Sequence, residues 1–214
     1  MQLPLTTYIA GRKTVSDWLT VRPTLNDFTN SAIWNTVFND YFKTRLKDRY
    51  LDPINSIKQD GCYSGEGFSI MTIICSLIEF LETTYQGINY RYVRRHDPPL
   101  GQFEYSASGQ IFVDFLTQRQ PFSAHFDNAL TESFYSNVRC GLLHEARTNN
   151  KWTIWGKSSS NILTETTATE IIVYRDDFYN ALTDFVNTHY KTDLLASDDR
   201  KRAFLRKFDR LCDE

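Results

Sequence analysis

Arg139 and His144 are separated by four residues in the stretch 134–147, which reads Phe-Tyr-Ser-Asn-Val-Arg-Cys-Gly-Leu-Leu-His-Glu-Ala-Arg. Arginine is a permanent cation whose planar fork matches a phosphate, and histidine exchanges a proton near neutral pH. Held at fixed spacing, the two are the minimum equipment for cleaving a phosphodiester without a metal. Two further copies of the pattern test its weight. Arg91-Tyr-Val-Arg-Arg-His96 has the same spacing, and Arg119-Gln-Pro-Phe-Ser-Ala-His125 has it with one more residue. With 15 Arg and 4 His in the chain, accidental pairs are expected, so spacing alone decides nothing.

Context separates the three. Arg91–His96 follows Gly87 and runs into Asp97-Pro98-Pro99, which reads as a loop, and Arg119–His125 is interrupted by Pro121. Only Arg139–His144 lies in a strong helical pattern, predicted over 127–148, with Leu130, Phe134, Val138, Gly141 and Leu142 as its core stripe. On a regular helix the two side chains are about 140° apart and about 7.5 Å apart along the axis, flanking the face turned from the core. Glu145 falls back on the apolar stripe, which predicts a loosened helix there or a cation beside it.

The rest of the chain must position this helix. Residues 1–30, with weak periodicity and two prolines, read as an irregular lead-in. Trp34, Val37, Phe38, Tyr41, Phe42, Leu46 and Tyr50 predict an amphipathic helix over 31–51, ended by Asp52-Pro53. Residues 59–67 are a glycine-rich turn without the pattern of a phosphate cradle. The run 68–85 is apolar almost all round and belongs at the centre of a bundle. Glu79 and Glu82 on it either need partners or project from its exposed end. Loop-like residues 88–106 precede a short helix at 108–118. Short β-like runs at 152–155, 162–164 and 170–174 predict a small β-hairpin or three-stranded appendage. Long helices at 176–195 and 198–212 complete a mainly α helical bundle, taken as a single domain over 1–214 with insertions at 88–124 and 151–174.

The chain has 214 residues, is 41% hydrophobic and holds 15 Phe and 12 Tyr, ample for a packed core. The apolar run 68–81 contains Glu79 and is too short to span a bilayer, and the N-terminus has no signal-peptide pattern. Cys62, Cys75, Cys140 and Cys212 form no CxxC pair, which points to reduced thiols and a cytoplasmic setting. His96, His125 and His189 lack ligand-spaced neighbours, so no metal and no cofactor is expected. Net charge is −2, so any nucleic-acid contact must be local. Arg91, Arg94 and Arg95 form one basic patch. Arg200, Lys201, Arg202, Arg206, Lys207 and Arg210 form a second, diluted by acids and reading first as a solvated helix face.

Arg139-Cys-Gly-Leu-Leu-His144, late in a bundle helix and preceded by an acid-bearing core helix, resembles the signature of the HEPN superfamily, an Arg followed after roughly four to six residues by His. The resemblance covers about 30–87 and 125–212. It implies a HEPN-like bundle with a small β-hairpin insertion and a metal-independent endoribonuclease of the toxin–antitoxin or abortive-infection kind. It further implies a homodimer in which two motifs share one cleft, and an antitoxin or regulatory protein as a further partner. Arg139 and His144 match the catalytic pair. Glu79 matches the acidic position of the preceding helix, with Asn137 and Arg147 as further supporting candidates. The position after the arginine, usually polar in the family, is Cys140 here.

The implied mechanism suits the residues. RNA supplies its own nucleophile, the 2′-OH. His144 would move the proton and Arg139 would grip the phosphate as its charge grows, leaving a 2′,3′-cyclic phosphate. Arg147, one turn past His144, would add a backbone contact. The competing readings are a non-catalytic RNA- or nucleotide-binding HEPN module and a purely structural helical dimer. The plainest competing reading of the pair makes His144 a partly buried histidine bonded to a carbonyl and Arg139 one half of a surface salt bridge.

Overall fold

The computed structural model describes residues 2–60 and 65–213. Among the described residues 62% are helical, in seven helices joined by small sheets, so the fold is mainly α. The chain divides into two compact units, one built from 1–53, 83–106 and 190–214, the other from 54–82 and 107–189.

In the first unit the expected lead-in is ordered. Strand β1, Tyr8–Ala10, pairs antiparallel with β2, Lys13–Thr14. Helix α1, Val15–Val21, follows at once. The cause is a reciprocal cap: the Asp17 backbone N–H donates to the Thr14 hydroxyl, and the Thr14 N–H donates to the Asp17 carboxylate at 2.8 Å. Helix α1 buries Trp18, whose ring meets Tyr41 and Phe208, each at 5.3 Å.

Helix α2 runs continuously over 31–60, past the expected stop at Asp52-Pro53. It contains two widened π turns, Phe38–Lys43 and Lys47–Leu51. Pro53 sits just after the second, where the ladder has already changed register and a missing N–H costs least. The aromatic face predicted for this helix is its core face. Phe42 stacks on Tyr190 at 4.5 Å.

Helix α3, Glu66–Gln86, begins earlier than its apolar run predicts, and the turn expected at 59–67 falls mostly outside the described residues. At 21 residues with a mean hydropathy of 1.4 in its most apolar window, it is long and apolar enough to cross a membrane, unlike the shorter run read from sequence. That window is 61% buried, as a core helix is. Gly87, at φ +70°, ends it, and a Cβ there would lie 2.5 Å from the Ala203 backbone. Residues 88–106 are not wholly loop. They carry the short parallel pair β3, Asn89–Tyr90, and β4, Glu104–Tyr105.

In the second unit α4, Gly109–Gln118, lies where its pattern placed it. Helix α5 covers 128–145 and ends three residues short of expectation. Three strands follow: β5, Trp152–Trp155; β6, Thr164–Thr166; and β7, Ile171–Tyr174. The order is β5-β7-β6, with β6 and β7 an antiparallel hairpin and β5 parallel to β7. The sheet is the three-stranded form of the expected excursion. Helix α6 spans 175–196 and α7, Asp198–Arg210, belongs to the first unit. The second core is aromatic: Phe134 stacks on Phe178 at 5.8 Å and receives the edge of Trp152 at 5.6 Å.

Candidate functional site: an arginine groove between α3 and α5

Asp127 caps α5, its carboxylate accepting from the Leu130 N–H at 2.7 Å. Phe134, Val138 and Leu142 then bury the predicted stripe. The segment Tyr135–Arg139 is a π turn, so residues beyond it are rotated from the positions a regular helix would give them. Arg139, the last residue of that turn, faces Glu79 on α3. Its guanidinium lies 3.5 Å from the Glu79 carboxylate and 5.4 Å from the centre of the Tyr135 ring. Both members of the ion pair are about three-quarters or more covered, at 20% and 24% side-chain exposure.

Arg139 and Glu79 line a groove of about 320 Å³ with Thr72, Cys75, Ser76 and Leu143. That volume is at the small end of ligand sites. The 3.5 Å separation is an ion pair rather than a tight hydrogen bond. Among the described residues the Arg139 side chain makes no hydrogen bond, so its donors stay open to an anion. Burial pushes the Cys75 thiol up to about 12, with the Arg139 cation pulling the other way. Cys75 is therefore a neutral thiol at physiological pH and not a nucleophile.

His144 is exposed, makes no hydrogen bond or ion pair among the described residues, and is not among the groove's lining residues. Leu143, the residue before it, is half exposed and lines the groove. Arg139 thus has the carboxylate partner of the competing reading, whereas His144 lacks the carbonyl that reading requires.

The supporting candidates separate. Glu79 is brought to Arg139. Asn137 is engaged elsewhere: its side chain donates to the Ser133 carbonyl at 2.9 Å and accepts from Asn150 at 2.7 Å, and its carbonyl accepts from the Asn149 N–H at 3.0 Å. Arg147 is not one helical turn past His144. The helix ends at Ala146 in the left-handed region (φ 53°), and Arg147 bonds Glu145 at 2.8 Å, the cation that Glu145 needed. After this cap the chain doubles back along α5, and the indole of Trp152 donates to the Ser133 hydroxyl at 3.0 Å. Gly141 permits the return, since a Cβ there would lie 2.5 Å from the Arg147 carbonyl oxygen.

The two rejected pairs also resolve. Arg119 is a structural cation, donating to both carboxylate oxygens of fully buried Glu82 at 2.9 and 2.7 Å. Arg91 lies outside any helix and donates to Glu104 at 2.7 Å. The groove residues on α3 were missed in the sequence, although a signal was there. Thr72, Ser76 and Glu79 recur at helical spacing as the polar break in an otherwise apolar helix.

No family model matches the chain, and neither a curated protein nor a solved structure matches it.

Proposed function

We propose that the protein is a metal-independent endoribonuclease of HEPN-like type, acting in the cytoplasm in a defence or toxin-like role. The observation that carries the proposal is Arg139: a largely covered cation in a groove, beside a carboxylate that does not hydrogen-bond it. A phosphate entering there meets a guanidinium with its fork free, and Glu79 keeps the side chain aimed. His144, outside the groove and without a partner among the described residues, suits proton transfer to a strand crossing the rim, or to the groove of a second copy. A homodimer would then set each Arg139 against the other copy's His144. Arg139 would stabilise charge on the phosphate while His144 takes the 2′-OH proton or returns one to the 5′-oxygen. An antitoxin or regulatory protein covering this rim would silence the site.

The placement of His144 favours a second reading, a non-catalytic HEPN-like module that binds RNA or nucleotide phosphate through Arg139 alone. Incubation with a structured RNA in EDTA separates the two. The nuclease reading expects 2′,3′-cyclic phosphate ends that are lost in both Arg139→Ala and His144→Ala. RNA left intact, or cut equally by both variants, sinks it.

A further inference from the structure

The first unit carries a second feature that the Arg139 groove does not explain. Residues 89–105 form an arm closed by β3 and β4, and every residue from 92 to 100 is exposed. The arm is nonetheless tied. Arg91 donates to Glu104 at 2.7 Å and to the Pro98 and Pro99 carbonyls at 2.9 and 2.7 Å. The Gly101 N–H donates to Glu104 at 2.8 Å, and the Arg94 N–H donates to Asp97 at 2.7 Å. Its two carboxylates are thus used to hold the backbone. The guanidinium groups of Arg94 and Arg95 have no carboxylate partner among the described residues.

The same arm carries exposed aromatic rings close to these cations in sequence. Tyr90 and Tyr92 are 54% and 68% exposed. Tyr90 is braced by the edge of Tyr105 at 5.7 Å. At the base of the arm the Arg206 guanidinium of α7 lies 4.0 Å over the exposed ring of Phe103. A held loop that carries exposed rings and arginines without carboxylate partners in one short arm is already ordered for binding. Flat π faces interleaved with guanidinium groups match bases and phosphates of an unpaired strand. An apolar protein partner would cover Val93, Leu100 and Phe103 with the tyrosine rings, but would leave the charges of Arg94 and Arg95 unmatched.

We infer that the 89–105 arm binds single-stranded nucleic acid, stacking bases on Tyr90 and Tyr92 and pairing phosphates with Arg94 and Arg95. This needs neither cleavage nor the Arg139 groove. The test is fluorescence anisotropy of the full chain with a labelled oligothymidylate of about 12 nucleotides, which spans a single-strand site and lacks the 2′-OH that cleavage requires. Tyr92→Ala is expected to weaken binding about 5- to 150-fold, and Tyr92→Trp to retain it. Removing both Arg94 and Arg95 as alanines is expected to flatten the dependence of log K on log salt by about 1.4. The exposure of these side chains keeps folding out of the result. Absence of binding at low salt, or binding unchanged in all three variants, overturns the inference. So does binding lost only in Arg139→Ala. Variants that alter self-association but not strand binding overturn it too, and mark the arm as a protein interface.

Discussion

Replacing Gly141 with alanine sets two effects against each other within the Arg139–His144 segment. In a free helix interior alanine is favoured over glycine by about 1 kcal/mol. Here the added Cβ would sit 2.5 Å from the Arg147 carbonyl oxygen and 3.3 Å from the Asn149 amide nitrogen. The carbonyl belongs to a backbone that cannot swing aside alone. The returning chain is fastened by Asn149 N–H to Asn137, by Asn150 to Asn137, and by Trp152 to Ser133. Displacing it weakens about three hydrogen bonds at about 1 kcal/mol each, and propensity offsets one of these. The expected net loss is about 2 kcal/mol, or about 4–8 °C in Tm for a chain of this size. Thermal unfolding followed by circular dichroism reads it. Gly109→Ala is the control, because its Cβ would meet only the Tyr135 ring at an ordinary 3.6 Å. A Tm for Gly141→Ala equal to or above that of the parent would refute the reasoning, since propensity would then have won.

Glu82→Ala strands Arg119 beside a buried void, and a cost of about 3–5 kcal/mol is expected in urea unfolding. An unchanged midpoint would show that the pair carries nothing. Cys75 should resist alkylation at pH 8 in the native protein and react once the chain is unfolded, as mass spectrometry would detect; native labelling would contradict its burial. The same burial gives a pH effect of defined sign. The folded thiol keeps its proton to about 12, whereas the unfolded thiol releases it near 9.0. The unfolded state therefore binds fewer protons between those values, and stability falls as pH rises through that window, by at most about 1.4 kcal/mol per pH unit from this group. Urea midpoints measured between pH 8 and 10.5 should fall less steeply for Cys75→Ala than for the parent, and identical slopes would count against it.

Helices that bury one clear stripe were legible in the sequence. The 31–51 pattern of Trp34 to Tyr50 and the stripe of α5 both became core faces, because burial follows period directly. The π turns were not legible, since i→i+5 bonding leaves no compositional mark. Helix α2 contains two of them before Pro53, and Arg139 ends the one in α5, beside Glu79. The ordered lead-in was missed because its signal is local, a Thr14–Asp17 cap, rather than periodic. At the site, the choice of Arg139 over Arg91 and Arg119 rested on helical context, and both rejected arginines proved to be structural cations. Arg147 was misplaced because no residue near it announces a helix end: a non-glycine left-handed cap at Ala146 looks like continuing helix in sequence. The groove itself was hidden because three polar positions on α3 were outweighed by its apolar bulk.

The central claim is that Arg139 and His144 act together across two copies, each copy supplying one half of the other's site. Mixing Arg139→Ala protein with His144→Ala protein tests it most directly. Random pairing makes half the dimers mixed, and each mixed dimer holds one intact site of two, so RNA cleavage in EDTA should return to about a quarter of the parent rate. Cleavage by the mixture that stays at the level of the separate variants would contradict the shared site.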